Sequence, residues 1–312
     1  MSVMLAESYR RVFYDLRPGK QIERRILLDA FQDLINRGFA LRDATYLGFG
    51  SIFFYDFAMF YRYLGFSRMI SLEQDERIQK RIEYNKPFNN IEVVFKSAEE
   101  YIGSIDTDMS YVAWFDYDYT VSGSVLSDVV NASAVLSVGS ILLVTVDAKP
   151  PKRQSTIEDF RAFVRSNARD FLTEKHTDKE LMPGRLAEIS RDVLGVAVTK
   201  GLISRPSVSF LPLFSFKYDD SRPMYTFGGM FVNKTLKSKL LAAATAPYFR
   251  TKLDDEIFNI EVPRLTRKER VALDQCCPDG EDPFDADFGI SDEEKAEYRK
   301  IFRYFPSYIE SL

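Results

Sequence analysis

Four groups of residues in the first half of the chain have the types needed to hold a polar ligand and act on it: Gly48-Phe49-Gly50-Ser51, Glu73, Ser97-Ala98-Glu99 and Asp116-Tyr117-Asp118-Tyr119. Each stands at or just beyond the end of a short apolar run. Glycines lack a Cβ, so a backbone carrying them can approach a ligand closely, and a helix that opens behind them offers free amides. A carboxylate such as Glu73 suits the paired hydroxyls of a ribose. Ser97 and the small Ala98 suit the edge of an adenine ring, and Asp116 then faces the reactive end of the pocket. In this order the groups point to a nucleotide-type cofactor.

The elements that must position them follow from the apolar pattern. Residues 20–37 carry Ile22, Ile26, Leu27, Phe31, Leu34 and Ile35 at helical spacing, with Gly38 placed to stop the helix. Short apolar runs at 44–49, 69–72, 91–95, 111–115 and 140–146 read as strands, and residues 53–64, 77–84 and 124–136 between them read as helices. Strands alternating with helices imply a parallel sheet with right-handed crossovers, and the carboxyl ends of its strands open onto one crevice. Separated residues thereby become neighbours. The expected fold class is α/β, with a cofactor-binding core over 44–149 behind an N-terminal helical segment, 1–43. A helical insertion or cap follows over 150–207, then an antiparallel hairpin completing the sheet over 208–232, and a helical extension over 233–312. Residues 278–283 read as a turn.

Composition removes other classes. The chain has 312 residues, a formal net charge of −4, 26 Phe and 17 Tyr. That charge argues against a general polyanion binder, because phosphate backbones are held by clustered Lys and Arg. The only cysteines, Cys276 and Cys277, are adjacent and form neither a spaced metal set nor a disulfide framework. The single histidine, His176, lies in a polar run and reads as solvated. No apolar run is long enough to span a membrane and charges interrupt the first residues, so a cytoplasmic protein without membrane contact is expected.

The stretches YLGFGSIFFYDF, ISLEQDE, VVFKSAEEYI and VAWFDYDYT resemble the successive motifs of class I methyltransferases, and the whole chain resembles the bacterial putative O-methyltransferase family. The resemblance implies a Rossmann-like methyltransferase sheet with S-adenosylmethionine across its strand ends, held by Gly48, Gly50, Ser51, Glu73, Ser97, Ala98, Glu99, Asp116 and Tyr117. For transfer to a hydroxyl, Asp116 is the candidate base and Asp118 the candidate orienter of the acceptor. Tyr46 and Ile52 stand where the usual first motif has an acid and a third glycine, which shifts the contact to the methionine amine to Asp56 or Asp116. Glycine is also absent at Phe53, which disfavours a dinucleotide. Catechol-type relatives place Mg²⁺ between acids matching Asp116 and Asp147, but Ala148 takes the place of their asparagine, so no metal ligands are assigned. The alternatives are a noncatalytic binding or assembly module on the same fold and a nucleic-acid methyltransferase; acceptor class and oligomeric state are left open.

Overall fold

A computed structural model describes residues 17–151, 154, 156–277 and 289–306. In chain order its elements are α1 (Pro18–Asn36), β1 (Thr45–Gly48), α2 (Tyr55–Leu64), β2 (Met69–Glu73), α3 (Gln79–Asn85), β3 (Ile91–Phe95), α4 (Ala98–Ile102), β4 (Tyr111–Asp116) and α5 (Gly123–Val135). They continue with β5 (Ile141–Asp147), α6 (Ile157–Ala168), α7 (Leu186–Gly201), β6 (Ser209–Asp219), β7 (Pro223–Val232), α8 (Lys234–Ala243), β8 (Phe258–Ile260), α9 (Arg267–Asp274) and α10 (Asp292–Ile301). The strands form one eight-stranded sheet in the order β3-β2-β1-β4-β5-β7-β6-β8. β1 to β5 are parallel, the β6–β7 hairpin joins β5 in antiparallel pairing, and β8 lies parallel to β6.

The sheet is apolar on both faces, which is why its strands read as continuous apolar runs. Tyr46, Val112, Trp114, Ile141 and Leu143 enter one core, shared with α1 and α2. Leu47, Ala113, Phe115, Leu142 and Val144 enter the other, shared with α5 and α7. Gly48 registers with Ser71 on β2 and Trp114 on β4, so the ends of these strands lie side by side.

Helix α1 begins against the far end of the chain. Pro18 sits in its first turn, where a missing amide costs nothing. The next amides, of Gly19 and Lys20, donate to Asp220 in the β6–β7 turn at 2.6 and 2.9 Å. The C-terminal segment covers the outer side of α1: Tyr304 donates its hydroxyl to Asp29 at 2.8 Å, and Arg25 donates to the Phe305 carbonyl at 2.9 Å.

Three expectations need correction. The region after Asn233 is not wholly helical, because β8 adds an edge strand too short to show a period. Helix α7 is not a cap; Val193, Leu194, Ala197 and Val198 cover the sheet beside α5, and Gly201 lets the helices meet at the Val130 carbonyl. His176 is not solvated: its side chain is 3% exposed, its Nδ1 accepts the Thr173 amide at 3.0 Å, and its Nε2 lies 3.4 Å from Asp192. The turn expected at 278–283 lies outside the described residues.

The hairpin supplies the first test. At Gly229 a Cβ would overlap the Leu211 carbonyl oxygen on β6, a backbone atom that cannot turn aside. Gly229→Ala should lower stability by about 2–3 kcal/mol, read as a shift in the urea midpoint. An unchanged midpoint would mean that the hairpin is looser than described.

Candidate active site

The turn after β1 is strained and tightly held. Ser51 and Phe54 both have φ of 50°, in the left-handed region that non-glycine residues seldom occupy. The Gly50 amide donates to Ser71 Oγ on β2 at 3.1 Å, and a Cβ at Gly50 would lie 2.5 Å from that oxygen and 2.7 Å from the Phe54 ring. The turn therefore requires glycine at this position. Behind it, the Tyr46 hydroxyl donates to Asp56 in the first turn of α2, and both groups are buried. An acid from the following helix thus lies behind β1. Burial pushes the Asp56 carboxyl up, against the opposing pull of Arg24 and of the Tyr46 hydrogen bond. Burial and the neighbouring Asp56 push the Tyr46 hydroxyl up as well.

Helix α1 contributes a buried cation. Lys20 Nζ lies 2.8 Å from Glu23 and 2.9 Å from Asp116 at the end of β4, and 4.3 Å from the centre of the Trp114 ring. The second Glu23 oxygen accepts from Thr226 on β7. Trp114 Nε1 donates to Thr145 on β5 at 2.9 Å, and the Thr145 and Thr226 hydroxyls are 2.7 Å apart. Only one direction satisfies the series: indole to Thr145, Thr145 to Thr226, and Thr226 to the Glu23 carboxylate. Burial alone would raise the Asp116 carboxyl, but Lys20, with Arg17 and Arg24, outweighs it and holds the group below the usual carboxylate range. Asp116 is a fixed anion.

One turn beyond Lys20, Arg24 is 6% exposed and stacks its guanidinium 5.4 Å from the centre of the Tyr55 ring, at the start of α2. The sequence reading passed over Lys20, Glu23 and Arg24. The signal was present, because positions 20, 23 and 24 continue the spacing of Leu27, Phe31 and Leu34 toward the start of the same helix.

The other expected residues are divided. Glu73, half-buried at the end of β2, accepts the Gln74 and Asp75 amides on one oxygen at 2.8 and 3.0 Å, which leaves the other oxygen for a ligand; burial pushes its carboxyl up. Ser97 caps α4: its hydroxyl accepts the Glu100 amide at 3.1 Å while Glu100 accepts the Ser97 amide at 2.8 Å. Ala98 is buried and Glu99 exposed. Tyr117 turns to the opposite core and donates to Asp128 on α5 at 2.7 Å, away from Lys20 and Asp116. Asp118 is exposed. Asp147 accepts the Lys149 amide at 2.9 Å and pairs with Arg222, so the acid pair required for Mg²⁺ does not fit a metal centre.

A mostly parallel sheet in this order, with a glycine turn after β1 and acids at the ends of β2 and β4, has the architecture of the Rossmann-like methyltransferase class. Within that class, the chain belongs to the family described as Putative O-methyltransferase, whose sequence model matches residues 12–312. Among solved structures it is similar to Trm1 from Pyrococcus horikoshii in complex with S-adenosyl-L-methionine, at 14% identity and a TM-score of 0.48, over 71% of this chain and 57% of that one. It is also similar to the Methanococcus jannaschii fibrillarin pre-rRNA processing protein, at 14% identity and a TM-score of 0.35, over 62% of this chain and 68% of that one. A search of curated proteins finds no match.

Lys20→Met should lower stability at neutral pH by about 3 kcal/mol, since removing one member of a buried ion pair leaves its partner uncompensated. The Asp116 carboxyl is depressed in the folded chain, so its contribution is full above the ordinary value near 4 and is lost as pH falls through the folded value. The deficit of the variant should therefore persist from about pH 7 to about pH 4 and shrink only as urea titrations are moved below about pH 4, through the folded value of Asp116. A deficit independent of pH would mean that Lys20 acts through packing alone.

Proposed function

We propose that the crevice at the ends of β1, β2 and β4 binds S-adenosylmethionine, and that the protein transfers its methyl group to an acceptor oxygen. The supporting observation is the Gly50 turn, where the backbone is pinned to Ser71 and a Cβ is forbidden, beside Glu73 at the next strand end. When bound, the cofactor supplies a sulfonium-activated methyl group.

The residues of the chain divide the work. Glu73 keeps one oxygen for the ribose hydroxyls. Ala98, small and buried behind β3, leaves room for the adenine edge. Asp56 and Asp116 flank the strand end from α2 and β4 and suit the ammonium of the methionine end. Because Lys20 holds Asp116 ionised, this carboxylate is a weak proton acceptor, and its proposed task becomes orientation instead of base catalysis. Asp118, exposed beyond it, is the residue proposed to orient an acceptor hydroxyl.

Calorimetry with S-adenosylmethionine and S-adenosylhomocysteine should show binding to the wild-type chain. Glu73→Ala should weaken it by about tenfold to a hundredfold, the worth of hydrogen bonds to a charged group. No heat with millimolar ligand would defeat the assignment of the crevice, and equal binding by the variant would defeat the role of Glu73.

A further inference from the structure

The start of α2 faces a guanidinium whose hydrogen-bond donors are not all used. Arg24 brings this guanidinium, and two of its nitrogens, Nε and Nη1, are buried with no hydrogen-bond partner among the described residues. Its contacts are the face of the Tyr55 ring and longer-range attraction to Asp56 and Asp116. Asp116 already pairs with Lys20, and Asp56 already accepts from Tyr46. The ten residues of α2 direct their positive end toward this point, where Asp56, in the first turn, accepts from a backbone amide and feels the pull of Arg24 without bonding to it. A guanidinium donates through a planar fork matched to a carboxylate, and leaving two donors buried and unused is costly. A desolvated arginine with unused donors adds little to the stability of the free protein.

We propose that Arg24 and the first turn of α2 form the receptor for a ligand carboxylate, that of the amino-acid end of S-adenosylmethionine. This rests on the cofactor assignment above and adds a residue from outside the strand-end series. The ligand's carboxylate would lie against Arg24 and the α2 amides, with its ammonium turned toward Asp56 and Asp116. Arg24 is then a specificity residue: it separates nucleosides that carry an amino-acid carboxylate from those that do not.

The test compares S-adenosylhomocysteine with 5′-methylthioadenosine, which keeps the nucleoside and sulfur but lacks the amino acid. Wild-type protein should bind the former at least about tenfold more tightly, the scale of a charge-assisted hydrogen-bonded pair. Arg24→Met should lose that preference while binding 5′-methylthioadenosine like the wild type, and its ligand-free melting temperature should be equal or higher, because a buried unpaired charge is removed. A structural arginine would show the reverse, a lower melting temperature with both ligands weakened together, and that result would overturn the proposal. Decarboxylated S-adenosylmethionine provides a check that needs no variant: wild-type protein that binds it as tightly as S-adenosylmethionine has no carboxylate receptor. If the wild type binds both nucleosides equally, Arg24 is misassigned while the cofactor reading stands. If it binds neither, the cofactor reading falls and this inference with it.

Discussion

A lysine ammonium buried between two carboxylates holds this molecule in register. An unpaired ion of this size in a protein interior costs several kcal/mol, so Lys20 is tolerable only where Glu23 and Asp116 both reach it. Glu23 belongs to the same helix, but Asp116 ends β4, and the pairing therefore fixes both the rotation of α1 and its height on the sheet. Glu23 extends the constraint through Thr226 and Thr145 to the indole of Trp114, so that β4, β5 and β7 are all addressed from one turn of helix. Replacing such a network by apolar side chains is often neutral or favourable for stability. Its value here is positional: with Lys20 over β4, Arg24 follows one turn later and faces the start of α2.

The parts of the chain that hold α1 are late in sequence. Asp220, in the turn of the hairpin, caps the first amides of the helix, while Tyr304 and the Phe305 carbonyl engage Asp29 and Arg25 on its outer side. The crevice is formed by strands from the first half of the chain, but the helix that supplies its cations is held by the second half. The hairpin and the C-terminal segment thus act on the site through α1.

What could be read from the sequence follows the same division. The strands and the residues ending them were legible because buried parallel strands are continuous apolar runs, and polar residues at their ends stand out against them. Residues that depend on a crossing element were less legible. Asp56 could be named from the sequence as one candidate for the amine contact, but its approach to Tyr46 depends on the return of α2 through the strained turn at Ser51 and Phe54. Lys20, Glu23 and Arg24 look like ordinary polar positions at a helix start until the helix is docked with that face inward. Tyr117 lies beside Asp116 in sequence, yet in a strand-like segment adjacent side chains point to opposite faces, and it was lost to the other core. Ser97 was expected at the adenine edge, and the described bonds of its hydroxyl close a helix cap.

The charges in the crevice constrain the kind of ligand end it can accept. Lys20 is matched by Glu23 and Asp116, and Arg17 approaches Asp220 at 3.7 Å, whereas Arg24 has buried donors without acceptors and Asp56 is a carboxyl held up by burial. A purely anionic group would satisfy Arg24 and the α2 amides but bring a second negative charge toward Asp56 and Asp116. A purely cationic group would satisfy the two acids and face Arg24. A zwitterion with its charges separated by one carbon meets both demands without changing the net charge of the site, and its ammonium would favour the ionised form of Asp56 that burial opposes. The amino-acid end of the proposed cofactor is a group of that kind, and on that assignment Asp56 and Asp116 would stand in for the usual acid of the first motif.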